Sequence, residues 1–326
     1  MDSIIKKIKK RLKNSYITFF NDWHFSKKLA VVRLINEYSS FLNLKKISYK
    51  SKQKVDQYIL NYLNDLVQPI VNKYKNYINV GEKNINGPIW ICWWTGENDA
   101  PELVKKCIES IRKNANGHPI HFIDQNTYKK YLDVPEYVLK RVQTKQMCLA
   151  HFSDYLRFSL LEKYGGLWLD TTIYCNEGIP DSYFNLPLFS CKSPLKEGNF
   201  ISKYRWTTFC IGGWKNNILF SFIKDALQLY WKNRTTAIDY LLLDYLIDIA
   251  YENVPAIKEY IDKIPLNNLA RDDLQAAMNA ARYEKDFLSI IQKDTILYKL
   301  SWREHYIRKT DDGKNTIYNY FLDMKI

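Results

Sequence analysis

The chain has 326 residues, 46% of them hydrophobic and 15% aromatic, and carries a formal net charge of +13. That composition supports a sizeable core, in one large domain or one and a half. The six scattered cysteines form no Cys-x-x-Cys pair, and no run of 18 apolar residues and no signal peptide is present. A zinc site, secretion and a membrane span are therefore not expected, and reduced core cysteines suit a cytosol.

Residues 1–80 hold 16 Lys and Arg against 5 Asp and Glu, so most of the positive charge sits in the first quarter of the chain. They contain no Gly and one Pro and read as helices. Ile4, Ile5, Ile8 and Leu12 share one helical face, Phe19 continues it, and Lys6, Lys9, Lys10 and Lys13 lie opposite. A basic amphipathic helix suits an anionic membrane surface, here through residues 1–20; a helix packed on its own domain with a solvated lysine face is the alternative. Nucleic acid is not expected, because no recognition motif accompanies the charge. Val55 to Tyr74 is a second helix, with Tyr58, Ile59, Tyr62, Leu63, Leu66 and Ile70 at helical spacing.

The sequence divides into a basic helical extension, 1–85, and a second domain, 86–326, opening at Gly87-Pro88. Ile89 to Trp94 is a buried strand, Pro101 to Lys113 a helix, and Pro119 to Ile123 a second strand closed by Asp124-Gln125-Asn126. Strand, helix, strand at this spacing predicts an α/β fold with a mainly parallel sheet. Ligands in such sheets bind beyond the carboxyl ends of the strands, which places Trp94, Asp124 and Asn126 near a nucleotide.

Residues 147–174 organise the rest. Leu149, Phe152, Leu156 and Leu160 define a helical face flanked by Ser153, Asp154 and Arg157. Gly165-Gly166 ends the helix, and Leu167-Trp168-Leu169 suits a buried strand with Trp168, Asp170 and Thr172 on one face. An acid at the end of a buried strand, beside a helical Asp and Arg, is costly unless something uses the charge. A divalent cation holding a diphosphate would use it. Farther on, 181–204 is a loop-rich acceptor candidate, and Gly212-Gly213 suits close approach of a backbone to a sugar. Helices are expected at 218–233, 238–251 and 271–284, and Leu297 to Trp302 is a strand with a polar end.

The string Ser153-Asp154-x-x-Arg157 followed by Tyr164-Gly-Gly-x-Trp168-x-Asp170-x-Thr172 resembles the sugar-nucleotide core of glycosyltransferase family thirty-two, most closely its capsular polysaccharide synthesis proteins. It is more distantly similar to the glucosyltransferase domains of clostridial cytotoxins. The resemblance implies a GT-A-type fold and retaining transfer from a nucleotide-diphosphate sugar, such as a UDP-sugar, to a lipid-linked glycan. The setting would be capsule synthesis at the inner face of the cell membrane. It implies stacking of the base on Trp94, in Trp94-Thr95-Gly96, and ribose contacts from Asp124-x-Asn126. It further implies a sugar or acceptor contact from Asp244, and donor closure by a C-terminal segment carrying Lys299 and Trp302. Relatives carry Asp-x-Asp where this chain has Asp170-x-Thr172, and a hydroxyl is a weak ligand for Mn2+ or Mg2+.

Three chemical tasks follow. Trp94, Asn126, Ser153 and Asp154 hold base and ribose; Asp154 and Arg157 orient the sugar. The departing diphosphate is neutralised by a metal on Asp170 and Thr172 or by Lys299 and Arg157. A non-catalytic sugar-nucleotide or glycan binder, and a basic membrane or nucleic-acid adaptor, remain as alternatives.

Overall fold

The computed structural model describes residues 15–77, 81–196, 200–281, 289–291 and 294–324. The basic face of residues 6–13 falls outside them. Residues 15–25 are helical, followed by α1 (Lys27–Phe41) and the 30-residue α2 (Lys45–Tyr74). The α/β body is built from β1 (Ile89–Cys92), α3 (Glu102–Lys113), β2 (Ile120–Ile123), α4 (Glu136–Gln143), α5 (Leu149–Tyr164), β3 (Gly166–Leu169), β4 (Ile173–Cys175) and β5 (Leu188–Ser190). It continues through β6 (Cys210–Gly213), α6 (Ile218–Asn233), α7 (Leu242–Asn253), α8 (Pro255–Lys263), α9 (Asp273–Ala277), β7 (Leu297–Lys299) and α10 (Ile317–Asp323).

The main sheet has the order β2-β1-β3-β6-β5. β1 pairs in parallel with β2 and β3, whereas β6 runs antiparallel to both β3 and β5. Four of the five strands therefore share one direction. Strand alternation sends Trp90, Trp168 and Ile211 into a core shared with α2, α5, α6 and α7. Ile89, Ile91, Leu167 and Leu169 enter a second core against α3, β4, β7 and α10. The C-terminal residues hold Ile317 and Phe321 fully buried in that second core, although their sequence alone gives little pattern to read.

The helical first quarter is fastened to the body. Val55, Ile59, Leu63, Val67 and Val71 of α2 recur every four residues and are buried in the first core. At about 1.5–3 kcal/mol for each large aliphatic side chain buried, this stripe alone holds α2 in place. Tyr245 of α7 donates to Asp56 at 2.5 Å, and Asp225 of α6 accepts from Lys73 at 2.6 Å and from Tyr74 at 2.9 Å. The division at residue 85 thus separates stretches of chain without separating their cores.

Several expectations shift. The helix expected over 238–251 starts at Leu242 and ends at Asn253, and of 271–284 only Asp273–Ala277 is regular helix among the described residues. The region 181–204 contains β5, which completes the sheet edge. Gly212 and Gly213 permit close approach of strands and not of a sugar. A Cβ on Gly212 would stand 2.4 Å from the Gly166 carbonyl oxygen, and one on Gly213 would stand 2.3 Å from that of Pro187.

Gly166 is the tightest point in the sheet. Its φ is +94°, and an added Cβ would lie 2.1 Å from the Pro88 carbonyl oxygen, which accepts from the Leu167 N–H at 2.8 Å. Gly166→Ala is expected to destabilise the fold by about 3 kcal/mol or more, from strain and overpacking together. Gly178, with open space around it, is the control: Gly178→Ala changes stability by about 0.5 kcal/mol or less. Denaturant unfolding of the two variants checks this.

Candidate active site

A cavity of about 470 Å³ opens at the carboxyl ends of β1 and β3, where the strand directions of an open α/β sheet place ligands. β1 contributes Cys92 and the following Trp93, and the segment after β3 contributes Asp170, Thr171 and Thr172. α5 supplies Ser153, Asp154 and Arg157, α7 supplies Asp244, and the residues Lys299 to Arg303 close the far side.

Two pieces of local structure set this arrangement. On α5, Asp154 and Arg157 are one helical turn apart, so the guanidinium Nη1 reaches the Asp154 carboxylate at 2.9 Å. The second piece is the ladder of β4 and β7, in which Ile173 stands opposite Lys299. The Leu300 N–H donates to the Thr172 carbonyl at 2.9 Å, so β7 is pinned against the Asp170 turn. Residues 127 positions apart are thereby brought within hydrogen-bond reach: Lys299 Nζ donates to Thr172 Oγ1 and lies 3.4 Å from Asp170 Oδ2.

Arg157 is the electrostatic centre. Its side chain is 5% exposed. Beyond Asp154, its Nη2 meets Asp170 Oδ1 at 3.1 Å, and its plane lies 4.9 Å from the Trp168 ring. The Trp168 indole N–H donates to the same Asp170 oxygen at 3.0 Å. Burial raises the Asp154 carboxyl above its ordinary range, and the Arg157 charge opposes that rise. Asp244 is pushed up to about 6, first by burial and secondarily by the nearby Asp154 charge; the Trp206 indole N–H, donating at 2.9 Å, pulls the other way. Asp244 thus changes charge near neutrality inside the cavity.

The strand-end acid suggested Mn2+ or Mg2+, which Asp170 and Thr172 at the cavity wall would hold. Mg2+ is usually held by one or two carboxylates together with substrate phosphates and water; among the described residues no three His, Cys, Asp or Glu group together. Asp170 already accepts from Arg157 and Trp168, and the Lys299 ammonium lies against both Asp170 and Thr172. Lys299 places a positive charge at this position.

A second cavity of about 340 Å³ adjoins the first, sharing Ser153, Trp93, Trp302 and Arg303 with it. Its walls are largely apolar, with Trp94, Leu149, Phe152 and Leu156. Trp94 meets Phe152 edge-on with ring centres 5.0 Å apart, and Trp302 stands against Trp93 at 5.6 Å. Trp94, Ser153, Asp154, Arg157, Trp168, Asp170, Thr172, Asp244, Lys299 and Trp302 therefore line one continuous double cavity.

Asp124 and Asn126 do not line it. The Asp124 carboxylate accepts from the Asn126 and Thr127 N–H groups at 2.8 Å each, capping its own turn, and Asn126 is exposed. Trp93, Gln275 and Arg303 are lining residues that pattern reasoning missed. Gln275 Oε1 accepts from the Ser301 N–H at 2.7 Å and the Tyr306 hydroxyl at 2.7 Å, holding the loop that carries Trp302. Arg303, directly after the Trp302 signature, was legible by adjacency alone. The pairing of cysteine with histidine was also missed: Cys148 Sγ lies 3.2 Å from His151 Nδ1, three residues along the chain.

The model of the family described as "Capsular polysaccharide synthesis protein" matches residues 40–321. Among solved structures, a chain titled "PaToxG Glycosyltransferase" resembles this one with 16% identity and a TM-score of 0.38, over 64% of this chain and 82% of that one. No curated protein matches the sequence. The family match spans the double cavity and every element that builds it, and the chain belongs to the capsular polysaccharide synthesis protein family.

Proposed function

We propose that this member of the family acts as a glycosyltransferase, moving a sugar from a nucleotide-diphosphate donor to a growing surface polysaccharide. The observation that carries the reading is the junction of the two cavities. An aromatic recess sized for a nucleoside opens directly onto a charged chamber with Lys299 and Arg157 at its floor.

In this reading the base enters the recess beside Trp94 and Phe152, with Trp302 closing over it. The diphosphate lies between the recess and the chamber, beside Lys299 and Arg303. The sugar occupies the chamber, where Asp154, Arg157 and Asp244 offer charged hydrogen bonds to its hydroxyls. As the glycosidic bond breaks, negative charge grows on the diphosphate, and the Lys299 ammonium stabilises it without reorganisation. Asp170 holds Lys299 and Arg157 in place as the acid between them. The acceptor enters on the side of the chain between β5 and β6, whose Thr208 lines the chamber. Retention with front-face attack, a UDP-sugar donor and a lipid-linked acceptor at the inner membrane face complete the proposal.

Purified protein incubated with a panel of nucleotide sugars is expected to hydrolyse or transfer one of them, and to keep doing so in EDTA. Lys299→Ala should lower that turnover by about a hundredfold to a thousandfold while leaving the melting temperature close to that of the parent. Binding of a donor with no turnover under any condition would move the chain to a sugar-nucleotide binder, and turnover lost in EDTA and restored by manganese would return the diphosphate role to a metal.

Asp244 gives a separate test through pH. Its folded-state pKa of about 6 stands above the ordinary aspartate value, so the native state holds this proton more tightly than the unfolded chain. Its contribution to stability is present at low pH and is lost as pH rises through about 6. Asp244→Asn removes that loss. Thermal melts should therefore show the variant gaining on wild type between about pH 4 and about pH 7, with a constant difference above. A difference independent of pH would contradict the placement of Asp244.

A further inference from the structure

The strongest unexplained surface lies away from the cavity. Twelve large hydrophobic side chains between Tyr16 and Tyr49 are exposed, more than half of those exposed among the described residues. They are not scattered. Val31, Ile35, Tyr38 and Leu42 follow one another at intervals of four, three and four, forming one face of α1. Tyr16, Phe20 and Trp23 repeat the spacing on the preceding helical stretch. Phe41, Leu42, Leu44 and Ile47 crowd the turn into α2. α1 buries its opposite side, through Leu29 and Ala30, and among the described residues this stripe lies on its outer side.

The charges around the stripe are of one sign. Residues 15–50 contain two acids, Asp22 and Glu37, and neither is exposed: Asp22 is buried beside Arg33, and Glu37 accepts from Ser15 at 2.6 Å. Lys27, Lys28, Lys45, Lys46 and Lys50 are exposed. Beside the turn, a cavity between α1 and α2 is lined by Asn43, Lys45, Ser48 and Tyr49, donors suited to phosphate oxygens, and by Lys52, which is paired with Asp56.

We infer that the exposed face of α1 and its turn into α2 form a docking surface for a membrane bearing anionic phospholipids. Apolar side chains enter the interface, Trp23 and the tyrosines lie at headgroup depth, and the lysines meet phosphate. A second copy of the chain fits less well, because a self-complementary face would set these lysines against their own kind. The inference deepens the membrane side of the proposed function. It moves the contact from residues 1–20 to a surface reaching Tyr49. Arg33 of α1 also bonds the Ile238 carbonyl at 3.0 Å and pairs with Asp239 at 3.2 Å, and the next two residues, Tyr240 and Leu241, line the active cavity. Docking through this face therefore sets the cavity at a fixed place relative to the lipid surface, where a lipid-linked acceptor resides.

The test is flotation of the full chain with vesicles of phosphatidylcholine, alone or mixed with phosphatidylglycerol, while nucleotide-sugar turnover is followed in solution without lipid. Wild type should float with the anionic vesicles, less so as salt rises. Ile35→Asp with Leu42→Asp should weaken binding by at least about tenfold. Lys45→Glu and Lys46→Glu should each cost about fivefold or more. All these variants should keep the parent's turnover in solution, so failure of docking is read apart from failure of the transferase reading. Equal flotation of wild type and the Ile35/Leu42 variant would overturn the inference. So would binding that ignores phosphatidylglycerol, or a wild-type dimer in light scattering that the variant abolishes with no change in flotation.

Discussion

A buried guanidinium costs several kcal/mol unless its donors are satisfied, and two carboxylates meet most of that cost for Arg157, whose Nε alone is left without a hydrogen-bond partner. The partners come from two elements: Asp154 from its own helix and Asp170 from the end of β3. Asp170 is in turn shared with Trp168 and Lys299, and Lys299 is delivered by a strand far along the chain. Removing any one carboxylate would leave a buried cation short of a partner, a change worth about 3–5 kcal/mol. The network therefore makes the end of β3, the start of β4 and the strand β7 mutually dependent. Within it, two carboxylates face two cations, and Lys299 lines the chamber.

Much of this was legible in the sequence because it is local. The stretch 147–174 has its chemistry at helical and strand spacings, and Asp154, Arg157, Trp168 and Asp170 meet as those spacings predict. Membership of the capsular family was readable from the same residues, and the parallel centre of the sheet followed from strand, helix, strand. The meeting of Lys299 with Thr172 came only as an implication of resemblance, since strand pairing across so many residues leaves no local trace. Asp124 is placed elsewhere than the strand-end rule suggested, outside the cavity lining. Its position at a strand end suggested a ligand, yet an aspartate followed by Asn126 and Thr127 satisfies itself on their N–H groups. Gly212 and Gly213 carried the right physical signal, close backbone approach, with the partner misassigned.

The helical first quarter shows how periodicity misleads when two faces are apolar. In α2 the inner stripe at 55, 59, 63, 67 and 71 is buried, and Tyr58, Tyr62, Leu66 and Ile70 form its half-buried flank. In α1 the apolar stripe faces outward. Hydrophobic spacing is helical in both cases; only the packing of α1 on α2 decides which stripe is core and which stays exposed among the described residues. Among the described residues no helix is long and apolar enough to cross a membrane.

The central claim is that Lys299, held by Asp170 and Thr172, takes the place of a divalent cation against the donor diphosphate. Calorimetric titration of UDP into the protein in EDTA tests it most directly, run on wild type and Lys299→Ala over a range of salt. The account predicts that UDP binds wild type without metal and that Lys299→Ala weakens it by about tenfold or more, with a shallower salt dependence. UDP binding that appears only on addition of manganese, and is indifferent to Lys299, would contradict it.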